Sequence, residues 1–161
     1  MQLHVKSRYR LEEYNPLTED HIIISIWTPG DEPANPAKNA YTADILSLNF
    51  HDIDRLPCNE EQAAEWKSWG VKLFCHEHAK RIVLFVDYWV ELEIDHIIVH
   101  CDAGLSRSPG VAAALALKYN GDDREFWSGT MYGGMRFHPN SHVYNVMLQA
   151  LGIETKPLDA T

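Results

Sequence analysis

Cysteine is scarce in this chain: Cys58, Cys75 and Cys101 are the three in 161 residues. Their number is odd, their spacing is irregular and no Cys-x-x-Cys pair occurs. That excludes a disulfide framework and a zinc ribbon and points to a reducing, cytoplasmic compartment. Positive charge is also short. Lys and Arg number 14 against 23 Asp and Glu, for a formal net charge of −9. A surface of that sign repels nucleic acid and anionic membranes, so neither is an expected partner. An anionic substrate then needs a local positive site. Long apolar runs are missing, so no segment is expected to span a bilayer, and residues 1–8 lack the apolar core of a signal peptide. No internal repeat and no low-complexity tract interrupts the chain. What is present is ordinary globular composition, 45% hydrophobic and 23% charged. The length suits one domain, 1–161, with a hydrophobic core.

Strand-like and helix-like segments alternate. Leu3–Ser7 reads as a short first strand. His21–Trp27 is a compact β-branched run, hence a buried strand, ended by Thr28-Pro29-Gly30. Residues 28–42 carry three prolines and a glycine and read as a surface loop. Asp44–Phe50 is a further strand that delivers His51-Asp52-Ile53-Asp54 into a loop. Residues 60–69 form a short helix or ordered insertion. A long helix is expected over 71–92, with Phe74, His78, Ile82, Phe85, Val86, Trp89 and Val90 along one face. Asp95–His100 reads as a central strand. A helix follows, with Ser108 as N-cap, Pro109 in its first position and Asn120-Gly121 at its end. Asp122-Asp123 starts another helix, and a last one runs over Ser141–Leu151 behind the N-cap Asn140. The expected fold is α/β: a single domain with a central, mostly parallel sheet flanked by helices.

The chemistry concentrates where the central strand meets a helix, in His100-Cys101-Asp102-Ala103-Gly104-Leu105-Ser106-Arg107-Ser108. Unpaired N–H groups at a helix N-terminus carry partial positive charge, and successive loop amides form an anion-binding nest. Gly104 permits a backbone conformation that a Cβ resists. Arg107 adds a planar fork that holds two phosphate oxygens. The substrate-binding set is therefore Asp102, Ala103, Gly104, Leu105, Ser106 and Arg107. Within it, the Asp102 carboxylate is expected to point away from a phosphate it would repel. The positive field favours a thiolate at Cys101, poised for in-line attack and a phosphocysteine intermediate. Ser108 is placed to hydrogen-bond the sulfur and assist its departure. His100 orients the loop through hydrogen bonds.

His-Cys, five residues, Arg and Ser resembles the signature of the protein tyrosine phosphatase superfamily. The short chain looks like the dual-specificity branch, in its small bacterial and phage-type forms. The likeness is concentrated in residues 44–119. It implies a dual-specificity-phosphatase-like fold and activity on phosphotyrosine, with phosphoserine or phosphothreonine as further substrates. It also implies a general acid on a neighbouring loop. Asp52 aligns best with that acid, Asp54 is second and an imidazole donor at His51 third. The stretch between Asp52 and Cys101 is longer than the pattern, with residues 56–70 as the insertion. Similar proteins also carry a Pro-Asn like Pro139-Asn140, which braces the loop in addition to capping a helix.

No cofactor and no metal is expected. In Cys75-His76-Glu77-His78 only Cys75 and His78 share a helical face, too few for a structural zinc. Cys58 and Cys75 are candidates for a disulfide with Cys101 on oxidation. The five tryptophans read as core or rim packing. The expected function is phosphomonoester hydrolysis, on a phosphorylated protein or a small phosphomonoester. The alternative is a catalytically weak or inactive phospho-binding module. Rhodanese-like and arsenate-reducing chemistry fits less well: rhodanese loops lack the Arg-Ser ending, and arsenate reductases carry their loop near the N-terminus. Lipid phosphates are disfavoured because the five residues between Cys101 and Arg107 include no base.

Overall fold

The fold, taken from a computed structural model, is described for residues 1–128, 131–132 and 135–154. It is an α/β fold built on one four-stranded, all-parallel sheet. In chain order the elements are β1 (Gln2–Ser7), α1 (Arg8–Glu13), β2 (His21–Trp27), β3 (Thr42–Asn49), α2 (Glu60–Ser68), α3 (His76–Glu91), β4 (His96–Cys101), α4 (Arg107–Asn120), α5 (Arg124–Trp127), β5 (Met131–Tyr132), β6 (Met135–Arg136) and α6 (Ser141–Ala150). The sheet order is β1-β4-β2-β3. The short β5 and β6 pair with each other.

Side-chain alternation explains the layering. Strand residues two apart share a face. Ile22, Ile24 and Ile26 of β2, with Ile97, Val99 and Cys101 of β4, enter the main core beneath α3, α4 and α6. Ile23 and Ile98 point to the other face, where the core is completed by Leu11 of α1. β2 and β4 are thus buried on both sides, as their continuous β-branched runs require. Each such buried side chain contributes about 1.5–3 kcal/mol of transfer free energy. Cys101 therefore reaches its place by strand parity, at the C-terminal end of a central strand.

α4 packs against α6 through a row of small residues. A Cβ at Gly110 would lie 2.9 Å from the Asn140 carbonyl oxygen and 3.3 Å from Val143. Ala112, Ala113, Ala114 and Ala116 are all buried in the same helix. Gly121 closes the helix with φ +72°, the left-handed cap that glycine tolerates.

Three of the differences from the sequence reading concern helices. α3 begins at His76, not at 71. Lys72 instead exchanges hydrogen bonds with His51, donating to Nδ1 at 2.9 Å and accepting from the backbone N–H at 2.7 Å. That pairing holds residues 71–75 out of the helix. α4 begins at Arg107, so Ser108 and Pro109 lie inside its first turn and Ser106 stands at the N-cap position. α1 was not anticipated. Six residues with one buried side chain, Leu11, give no periodic signal. Among the described residues no helix is long and apolar enough to cross a membrane.

Burial also sets a pH dependence. Desolvation lowers His78 from the ordinary 6.5 to about 4, and burial likewise lowers His100 and His4. These rings stay neutral in the fold, while the unfolded chain takes up protons near 6.5. Stability is therefore complete above about pH 6.5 and falls as pH drops toward 4. Urea midpoints should decline across that window, and more gently in His78→Gln. A flat profile in the parent protein would contradict the assignment.

Candidate active site

The signature loop leaves the sheet after Cys101 and turns into α4. Gly104 makes the turn with φ +74°. A Cβ there would stand 2.8 Å from both the carbonyl carbon and oxygen of Lys6. Conformation and space both demand glycine at this position.

Neighbouring segments hold the loop by its carbonyl groups. Arg8 N–H donates to the Asp102 carbonyl at 3.1 Å, His138 N–H to Leu105 at 2.8 Å and Asn140 N–H to Ser106 at 2.9 Å. The N–H groups of residues 103–107, by contrast, have no protein acceptor among the described residues. Carbonyls bound from outside and amides left unpaired make the electrostatic pattern of an anion nest. α4 adds the positive end of its dipole, and no side chain caps that end.

Arg107 is 5% exposed and tightly anchored. One terminal nitrogen, Nη1, donates to the Thr28 hydroxyl at 3.0 Å and to the Phe50 carbonyl at 2.9 Å. The other, Nη2, meets Asp102 Oδ2 at 2.8 Å. The buried Nε has no hydrogen-bond partner among the described residues. An unsatisfied buried donor costs on the order of 1–3 kcal/mol, more when charged. No described residue offers an acceptor that offsets this cost.

Asp102 sits on the guanidinium. Its Oδ2 also accepts from the Thr28 hydroxyl at 2.5 Å. Burial pushes this carboxyl up, but hydrogen bonds from Thr28 and Arg107, with the charges of Arg107 and Arg8, outweigh it and hold it below the usual carboxylate range. The carboxylate thus stays ionised and serves as the arginine's counter-ion.

Cys101 is 2% exposed, and its Sγ lies 3.1 Å from Ser108 Oγ. That contact occupies the hydroxyl expected to cap α4. His100 is fully buried, with Nε2 at 2.6 Å from Ser25 Oγ and Nδ1 at 3.3 Å from the Cys101 carbonyl. A carbonyl only accepts, so Nδ1 carries the proton and Nε2 accepts from Ser25. Burial keeps the ring neutral.

Asp52 reaches the loop from the segment after β3. Its Oδ1 accepts from Ser106 Oγ at 2.7 Å and from Asn140 Nδ2 at 2.8 Å. Asn140 also caps α6 through Oδ1, which accepts from Val143 N–H at 2.9 Å. Asp54 contributes its backbone carbonyl to Ser141 Oγ at 3.4 Å. It also lines a cleft of about 520 Å³ beside the loop, with Ser106, Trp127, Arg136 and His138. His51 is turned toward Lys72. Of the three acid candidates, Asp52 is the one hydrogen-bonded to the signature loop.

Sequence reading missed Thr28 and Ser25. Thr28 appeared only as a strand terminator, and Ser25 is one polar residue in an apolar run. Cys58 and Cys75 are exposed, and their sulfurs meet Arg55 and His78. Among the described residues no three His, Cys, Asp or Glu side chains converge as a metal site. None of the five tryptophans is buried: Trp89 packs against the main core from outside, and Trp69 is 69% exposed. Comparison with family models, with curated proteins and with solved structures yields no match for this chain.

Gly104→Ala should cost about 2 kcal/mol of stability, because it strains a left-handed residue against Lys6. Calorimetric or urea unfolding checks this, and a neutral result would contradict the loop geometry. Thr28→Val removes a partner shared by Arg107 and Asp102. It should weaken binding of the phosphate mimic vanadate about tenfold while leaving the melting transition cooperative.

Proposed function

We propose that this chain is a cysteine-dependent phosphomonoester hydrolase with a dual-specificity-phosphatase-like fold, acting on a phosphorylated protein or a small phosphomonoester. The observation that carries the proposal is the environment of Arg107: a buried guanidinium, anchored on three groups, whose Nε and neighbouring loop amides have no partner among the described residues. A tetrahedral oxyanion supplies the acceptors this arrangement lacks.

In the first step Cys101 Sγ attacks phosphorus in line, the S–P bond forms and the bond to the leaving oxygen breaks. Asp52 protonates that oxygen. Its Oδ1 already accepts two hydrogen bonds, so Oδ2 is the oxygen suited to carry the proton. In the second step water attacks phosphorus, Asp52 recovers a proton from it and the S–P bond breaks. The Ser108 hydroxyl, 3.1 Å from the sulfur, stabilises the departing thiolate by hydrogen bonding. Arg107 and the loop amides hold the equatorial oxygens throughout. Neutral His100, fixed by Ser25, orients the Cys101 carbonyl.

The binding-only reading draws on one observation. Asp102 neutralises Arg107 in a salt bridge, which lowers the net positive charge available for transition-state stabilisation. Turnover separates the two readings. The purified protein should hydrolyse p-nitrophenyl phosphate without added metal, and Cys101→Ser should abolish it. Asp52→Asn should slow turnover of poor leaving groups by roughly 10²–10⁴-fold. Vanadate should compete. Vanadate binding without turnover would establish the binding module, and full activity in Cys101→Ser would overturn the nucleophile.

A further inference from the structure

The sheet's second face is covered thinly. There Ile23 and Ile98 share a small core with Leu11, and Leu17 and Ile45 pack alongside. The first face carries α3, α4 and α6. Between α1, the segment after it and the β1–β4 edge lies a cleft of about 400 Å³. That volume falls within the range of small-ligand sites. Leu11, Leu17 and Ile98 give it an apolar floor, while Lys6 and Arg10 stand at its rim with Glu13.

The rim cations are the telling feature. Neither the Lys6 ammonium nor the Arg10 guanidinium has a hydrogen-bond or ion-pair partner among the described residues. The chain has 23 carboxylates for 14 bases, so cations without a partner are not forced by a shortage of acids. Glu13 offsets one of the two charges. His4, which also lines the cleft, is lowered by burial and by His96 and adds none near neutral pH. Among the residues that line the cleft, two cations stand against the one carboxylate of Glu13, and the Glu19 charge reaches His4 from outside that lining.

The same segment forms part of the signature loop's support. The Lys6 carbonyl group stands 2.8 Å from where a Cβ of residue 104 would lie. Arg8 N–H holds the Asp102 carbonyl at 3.1 Å. Lys6 thus belongs both to the lining of the cleft and to the support of the loop, and Arg8 follows two residues on.

We propose that this cleft binds a small amphipathic carboxylate, an alkyl or aryl body with one anionic head, and that its occupancy restrains the signature loop through residues 6–8. The apolar body lies on Leu11, Leu17 and Ile98, and the head pairs with Lys6 and Arg10. Coupling follows from contact: a ligand that fixes Lys6 also fixes the backbone against which Gly104 is pressed.

The test uses decanoate as probe and decanol as its uncharged counterpart, titrated into the full chain by calorimetry. Amide hydrogen exchange of residues 102–107 is then followed at saturation, a readout independent of phosphatase activity. Decanoate should bind at one saturable site, at least tenfold more tightly than decanol. The double variant Lys6→Gln, Arg10→Gln should erase that preference while keeping the parent circular dichroism. Exchange at 102–107 should slow at least threefold with decanoate in the parent and not in the variant. Absence of saturable binding, equal affinity for the two probes, or an unchanged preference in the variant would overturn the site. Unchanged exchange at saturation would overturn the coupling.

Discussion

The anchoring of Arg107 is the constraint around which the rest of the site is arranged. A guanidinium 5% exposed is tolerable only when its donors are met and its charge is balanced. Three separate segments meet that need at its two terminal nitrogens and leave Nε without a partner among the described residues. Thr28 comes from the end of β2, the Phe50 carbonyl from the end of β3 and Asp102 from the loop itself. The C-terminal ends of parallel strands are thereby drawn together around one charge. A parallel sheet opens its ligand crevice at that edge, and in the proposed function Arg107 is the group that would hold an anion there.

The fold was largely legible because β2 and β4 announce themselves. Ile22–Ile24 and Ile97–Val99 are β-branched runs too short for a helix and too apolar for an exposed strand. The central position of β4, the loop and α4 followed from that, as did Cys101 and Arg107 within it. α1 and the start of α3 were not legible, for different reasons. α1 is stabilised by what Leu11 touches across the sheet, and a single residue has no period. Residues 71–75 continue the helical pattern of α3, yet the backbone of Lys72 is committed to His51. A long-range hydrogen bond overrode a local preference.

The site was legible where its parts are adjacent in sequence and dim where they are not. The order of residues 100–108 carries the loop's logic. The roles of Thr28 and Ser25 depend on strand register, which places Ser25 opposite His100, and no local pattern encodes that. Ser108 illustrates a competition between two good readings. Serine before proline suits a helix cap, but the hydroxyl lies against Cys101 Sγ. Asp102 shows the reverse: the sequence reading turned its carboxylate away from a bound phosphate, whereas the structure places it on the Arg107 guanidinium.

The close seating of α4 on α6 at Gly110 has a mechanical implication. Asn140 stands at that contact, with its carbonyl against Gly110, its N–H on Ser106 and its amide on Asp52. Two helices, the loop and the Asp52 carboxylate therefore share a single fastening point. In such an arrangement Asp52 does not ride on an independent flap. Its carboxylate is tied to Ser106 and Asn140, so a shift of that fastening point would carry the loop and the carboxylate together.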